Sequence, residues 1–138
     1  MDGTMTHRFV NPDSLAPARG FSHAVVATPG TTVYLGGQVA FDADGAVVGE
    51  TMAEQYGIAL GNVVTALEAA GGTPTDIVSM VVYVTDMDAY RSDLSGIGTA
   101  HRAHLDRHFP AIALIGVSEL VEPAALVEIV ATAVIPGT

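Results

Sequence analysis

The run at residues 124–135 (AALVEIVATAVI) carries a single charge, Glu128, inside an otherwise apolar and largely β-branched stretch. Such a run is a strand, and in a strand alternate side chains share a face. Leu126, Glu128, Val130, Thr132 and Val134 therefore lie on one side, with Val127, Ile129, Ala131, Ala133 and Ile135 on the other. The acid points where its apolar neighbours point. An unpaired ionised carboxylate costs several kcal/mol to bury, so it needs water, a partner or a place in a cleft. Backbone amides or a strand edge satisfying the acid is the plainer alternative.

The chain has 138 residues, enough for a single domain with a sizeable core, spanning residues 1–138 with an extended lead segment at residues 1–20. Fifteen acids face five arginines, giving a formal charge of −10 and no basic stripe to neutralise phosphates. Neither nucleic acid nor membrane is expected as a partner. There is no cysteine and no lysine, which excludes disulfides, thiolate metal sites, cysteine nucleophiles and lysine Schiff bases. The N-terminal stretch MDGTMTHRFVNPD lacks the apolar centre of a signal peptide, and no apolar run approaches the ~20 residues that cross a bilayer. A soluble, cytoplasmic protein follows as the expectation. With 49% hydrophobic and 14% charged residues, the surface is short of charge for a small monomer, and partner subunits are expected to cover some of it.

Along the chain, strands are predicted at residues 22–28, 32–39 and 46–49, with turns at Pro29-Gly30 and at residues 42–45. Gly36-Gly37 inside the second strand requires a bulge or the close approach of something to the backbone. Thr51 and Glu54 form a capping-box pattern, and Met52, Tyr56, Ala59, Leu60, Val63, Leu67 and Ala70 then recur at helical spacing until Gly71-Gly72. Residues 77–85 (IVSMVVYVT) are apolar on both faces and predict a central strand. After a turn at residues 86–88, a second helix is expected over residues 89–108, ended by Pro110. Strands at 112–118 and at the Glu128 run close the chain. The order βββαβαββ predicts an α+β domain, two helices packed on one face of a mixed sheet; a ferredoxin-like split βαβ is the other topology this order permits.

Four segments carry a resemblance that spans nearly the whole chain: NPDSLAPARGFSHAVV, VYLGGQVAFDADGAVVGE, ALGNVVTALEAAGGTPTDIVSMVVYVTDMDAY and FPAIALIGVSELVEPAALVEIVATAVI. They resemble the Rid family, the reactive intermediate deaminases, also called the YjgF family. The resemblance implies a chorismate-mutase-like fold, a homotrimer, and small-molecule ligands in clefts between subunits, with no cofactor and no metal. Its best known members hydrolyse enamines and imines, using an arginine in a Pro-Ala-Arg motif against the substrate carboxylate and a glutamate that orients or activates water. Here that motif reads Pro110-Ala111-Ile112 and the arginine is absent. Other positions of the implied cleft have also lost polarity: Phe21 stands for a tyrosine, Gly36 for a serine, and Leu114 lies two residues past Ile112.

Glu128 matches the family glutamate and is the expected proton-handling residue; a structural role across the trimer seam is the alternative. His23, beside the implied cleft, is a second acid/base candidate. Gly36-Gly37-Gln38 resembles the family's Gly-Gln turn rather than a phosphate loop, because it lacks a lysine and a following helix. Arg19 is either a relocated carboxylate clamp or a solvated arginine. His101, His104 and His108 have a spacing that chelates metal, yet no acid completes the set, and they are expected at an interface or a helix end. The functional expectation is an enamine or imine hydrolase with altered, non-carboxylate-anchored substrate choice. A non-catalytic trimeric binder of a small metabolite is the competing expectation. Some relatives are described as ribonucleases or translation inhibitors, against which the acidic charge argues.

Overall fold

The structure, a computed structural model, describes residues 7–137. Residues 1–6 of the expected lead and residue 138 lie outside the described residues. The described elements are β1 (Arg8–Val10), β2 (Ala24–Val26), β3 (Gly30–Gln38), α1 (Met52–Ala69), β4 (Ile77–Val84), α2 (Met87–Ser92), α3 (Leu94–Leu105), β5 (Ala111–Gly116) and β6 (Val127–Pro136). β1 and β2 form a small antiparallel ribbon, so the lead segment contributes a strand that its polar, proline-marked sequence conceals. The main sheet runs in the order β3-β6-β4-β5, antiparallel except for the parallel pair β4-β5. This is the expected α+β architecture.

Period-two alternation decides what each face of the sheet does. Val127, Ile129, Ala131 and Ala133 of β6 are buried beside Met80, Val82 and Val84 of β4 and Leu35 of β3. Tyr56, Ala59, Leu60, Val63 and Leu67 of α1 cover them, with Ile97 and Leu105 of α3 completing the core. Among the described residues no helix packs over the other face. Tyr34 is 82% exposed there and Ile115 43% exposed, with Tyr83, Glu128, Val130 and Thr132 half-buried between them.

Several boundaries differ from expectation for identifiable reasons. The second helix is two helices, because the Asp93 carboxylate accepts from Gly96 N–H at 3.0 Å and starts α3 anew. Asp86, expected in a turn, caps α2 by accepting from Ala89 N–H at 3.0 Å. α3 stops at Leu105, before Pro110, where Asp106 adopts a left-handed conformation (φ 52) that aspartate tolerates. At the start of α1 only half of the capping box forms: Thr51 Oγ1 accepts from Glu54 N–H at 3.1 Å. Ala70, expected on the buried stripe, is the exposed C-cap. Residues 46–49 make a single bridge, Phe41 with Val47, rather than a strand. Ser22 lies outside β2 and instead bridges Ala111 in parallel, extending the sheet past β5.

Gln55 is 3% exposed on an apolar helix face. Its side-chain N–H groups donate to Gly49 O at 3.1 Å and Ala124 O at 3.2 Å, while its Oε1 accepts from Leu126 N–H at 2.8 Å. One amide thus ties α1 to the loop that feeds β6. Gln55→Leu orphans all three backbone groups, at about 1–3 kcal/mol for each that stays dry. A drop of at least about 2 kcal/mol in unfolding free energy is expected in urea titrations; an unchanged midpoint would show that the tie contributes nothing.

Three buried histidines share one pattern. His7 Nδ1 accepts from Thr28 N–H at 2.9 Å, so Nε2 carries the proton and donates to Val134 O at 2.8 Å. His108 Nε2 donates to Ile77 O at 2.7 Å, and His101 Nε2 to His108 O at 2.9 Å. Burial pushes the pKa of His101 and of His108 below the ordinary 6.5. Above that value both folded and unfolded chains leave these rings neutral. Below it the unfolded chain takes up protons that the folded chain refuses, so stability falls as pH drops. Urea midpoints should therefore decline from about pH 7 to about pH 5, and less steeply in His101→Gln/His108→Gln. Equal slopes in the two proteins would contradict this assignment.

Candidate functional site

Beside β5, on the helix side of the sheet, lies a cavity of about 640 Å³. Strand alternation places Ile112 and Leu114 in it, level with Met80 and Val82 of β4. β5 is the outer strand on that side and the helices do not fully cover it, which leaves the space. Phe21 and Arg19 close one wall. Their segment is held by Ser22, whose Oγ donates to Phe109 O at 2.6 Å and whose N–H donates to Pro110 O at 3.0 Å. The opposite wall is Tyr56, Tyr90, Ile97, His101 and Arg102. Phe109 stacks on His101, ring centroids 5.0 Å apart.

The polar side chains of this cavity are two tyrosines, a histidine and two arginines. Burial raises the pKa of both Tyr56 and Tyr90, so each phenol stays a hydrogen-bond donor at neutral pH. Neither hydroxyl has a hydrogen-bond partner among the described residues, although the rings meet edge to face at 6.4 Å. His101 is held neutral, chiefly by burial and further by the Arg102 charge. Arg102 reaches Thr99 Oγ1, at 3.5 Å. Among the described residues no aspartate or glutamate lines the cavity. A site of this size with an apolar body and a few convergent donors is suited to a small organic ligand.

Glu128 is elsewhere. It pairs across the sheet with Tyr83, on the open face, whereas Ile112 and Leu114 are on the helix face. Within one chain the sheet separates them. The register of β3 against β6 shifts between Leu35 and Gln38, and Gly37 in that bulge lies against the Glu128 carboxylate. The double glycine thus answers both to a bulge and to a close approach, and what approaches is Glu128. Gly36 has open space where a side chain would stand. No hydrogen bond or ion pair engages the Glu128 carboxylate among the described residues, where the side-chain ion pair is Arg91 with Asp88.

His23 sits at the outer side of β5 in a shallow depression shared with Phe21, Ser79 and Ala113. Its ring meets Phe21 edge to face at 5.3 Å, and its Nε2 is bonded to Ala16 O at 2.6 Å. His101, His104 and His108 do not converge. His101 and His108 are committed to backbone carbonyls, and His104 packs over Gly61 of α1. His108 lies beyond the helix end, so the single-helix geometry expected for the three does not apply. Among the described residues no group of three histidine, aspartate or glutamate side chains converges as a metal site, and no helix is long and apolar enough to cross a membrane.

Tyr56, Tyr90 and Arg102 escaped the sequence analysis as site residues. Both tyrosines fit a helical apolar stripe and pass there as core. The available signal was the phenol itself, since a tyrosine on a buried stripe requires a partner for its hydroxyl.

Residues 11–135 match the family described as Endoribonuclease L-PSP. Among solved structures, the chain is similar to YyfB of Yersinia pestis, a Rid-family protein of unknown function, at 36% identity and TM-score 0.85, covering 95% of this chain and 100% of that one. RidA from the Antarctic bacterium Psychrobacter shares 31% identity over 87% of this chain and 92% of its own, with TM-score 0.66. Rv2704 of Mycobacterium tuberculosis, a member of the YjgF/YER057c/UK114 family, shares 30% identity over 94% and 100% of the two chains, with TM-score 0.64. No match was found among curated proteins. Fold, sequence and matched length agree: the chain belongs to the Endoribonuclease L-PSP family, the Rid/YjgF group of its structural neighbours.

Proposed function

We propose that the protein hydrolyses enamine or imine intermediates to a carbonyl compound and ammonia, at clefts built from two protomers of a homotrimer. The separation of Glu128 from the Phe21, Ile112 and Leu114 wall carries this reading. One chain cannot present both to a ligand, while the uncovered face around Tyr34, Tyr83, Val130 and Ile115 needs a partner. In the assembly, Glu128 and the Gly37 bulge of one protomer close the cavity of the next. Glu128, with no competing hydrogen bond, holds a water against the C=N carbon and takes its proton. The water oxygen bonds to that carbon and the proton passes to nitrogen, giving a carbinolamine; its hydroxyl proton then moves to nitrogen as the C–N bond breaks, so ammonia leaves and the carbonyl remains. His23, on the Ser79 and Ala113 side of β5 with its Nε2 bonded to Ala16 O, is the second candidate, through its other ring nitrogen. With isoleucine at position 112, substrate choice does not rest on a carboxylate clamp on β5.

Ammonia release from 2-aminoacrylate and from bulkier and uncharged imines tests the proposal. Glu128→Gln should lower turnover roughly 10²- to 10⁴-fold, the usual reach of a positioned acid/base; full turnover in that variant would refute the mechanism. Activity appearing only in Ile112→Arg would show instead that the native clefts bind a metabolite without converting it. Gly37→Ala drives a methyl group into the Glu128 carboxylate. It should cut turnover at least tenfold while leaving the melting temperature within about 2 °C, because the site is at an exposed bulge. Unchanged kinetics in Gly37→Ala would mean that the placement of Glu128 is irrelevant.

A further inference from the structure

We infer that the cleft takes uncharged, ring-bearing imines with no carboxylate on the C=N carbon, the aldimines of arylalkyl amines. This rests on the hydrolase reading and names its substrate class. It places the protein after the two-electron oxidation of a primary amine, in which R–CH2–NH2 gives two electrons and two protons to a flavin and leaves as free R–CH=NH. Water then converts R–CH=NH to R–CHO and ammonia.

The make-up of β5 is the first support. The strand reads AIALIG, with no charged or polar side chain, and it presents Ile112 and Leu114 to the cavity. Phe21, Ile97 and Phe109 extend that apolar wall. A carboxylate laid against it loses water without gaining a cation. In a 2-imino acid the carboxylate sits on the reacting carbon itself, the atom that Glu128 serves in the proposed reaction, and two like charges then meet at one place. An aldimine carries only hydrogen there. The arginines give the second support. All five are exposed, and Arg19 and Arg102 at the cavity are as open to water as Arg8 and Arg107 elsewhere. Arg102 lies over Gly98 of its own helix and reaches Thr99 Oγ1 at 3.5 Å. Neither is a buried counter-charge, and a chain of formal charge −10 repels anionic substrates while admitting neutral ones. Size is the third. About 640 Å³ holds a phenyl ring on a short chain, and the phenols of Tyr56 and Tyr90 offer neutral donors to a nitrogen or oxygen lone pair.

Calorimetric titration with two probes of one shape tests the inference: phenylacetone and phenylpyruvate, which differ by a methyl group in place of the carboxylate on the carbonyl carbon. Phenylacetone should bind at least about tenfold more tightly. Ile112→Arg should strengthen phenylpyruvate roughly ten- to hundredfold and give phenylacetone no gain. Leu114→Trp should weaken phenylacetone at least about tenfold by occupying the place of its ring. Turnover is read as ammonia released from imines made in place, by a flavin-dependent amine oxidase from 2-phenylethylamine and by an amino-acid oxidase from phenylalanine. The first imine should be hydrolysed at least about tenfold faster than the second. Phenylpyruvate binding the wild type as tightly as phenylacetone, or phenylacetone binding Leu114→Trp as tightly as the wild type, would overturn the inference. The hydrolase proposal fails separately. If phenylacetone is preferred while neither imine releases ammonia faster than in buffer, the ligand class stands and the reaction does not. If the phenylalanine imine is hydrolysed through Glu128 at least as fast as the aldimine, the reaction stands and this substrate class does not.

Discussion

Alternation along β6 is the constraint on which the structure turns. β6 lies between β3 and β4, so its odd-numbered side chains, Val127 to Ala133, are committed to the core beneath α1. Its even-numbered side chains must then face the other way. A slip of one residue would drive Glu128 into the core and expose Ile129, and the two costs together pin the register. The acid is therefore held on the open face by the same burial that stabilises the sheet. Gln55 adds a second hold by bonding the backbone on both sides of Ala125, just ahead of the strand.

That placement sets the relation between fold and chemistry. The chain carries two features on opposite faces of one sheet: an acid beside a glycine bulge, and an apolar cavity with a few polar side chains. The proposed reaction needs both. The surplus of apolar residues, the uncovered face and the divided placement of these groups are what the proposed association of copies accounts for together.

Much of this was legible in the residues. The two faces of β6, the centrality of β4, the helix of α1 and the significance of Gly36-Gly37 follow from period and from backbone sterics. The family resemblance supplied the expectation that Glu128 shares a cleft with Phe21, Ile112 and Leu114, whereas within one chain the sheet separates Glu128 from Ile112 and Leu114. What stayed hidden depended on contacts distant in sequence. The break at Asp93 is invisible to a helical pattern that continues through it. β1 exists because its partner β2 lies some way along the chain. His101 and His108 look like ligands until Ile77 O and His108 O are seen to occupy them. Tyr56 and Tyr90 hide because a cavity wall and a core have the same periodicity, and only the empty space beyond the ring distinguishes them.

The most direct measurement is complementation between two inactive chains. Glu128→Gln removes the acid half-site, and Leu114→Trp fills the cavity half-site; each alone should be inactive in ammonia release. Dissociated, mixed in equal amounts and reassembled, the two should regain activity, because about one junction in four joins an intact acid to an intact cavity when protomers combine at random. A mixture that forms hybrid assemblies yet stays as inactive as its parents would contradict a site shared between protomers.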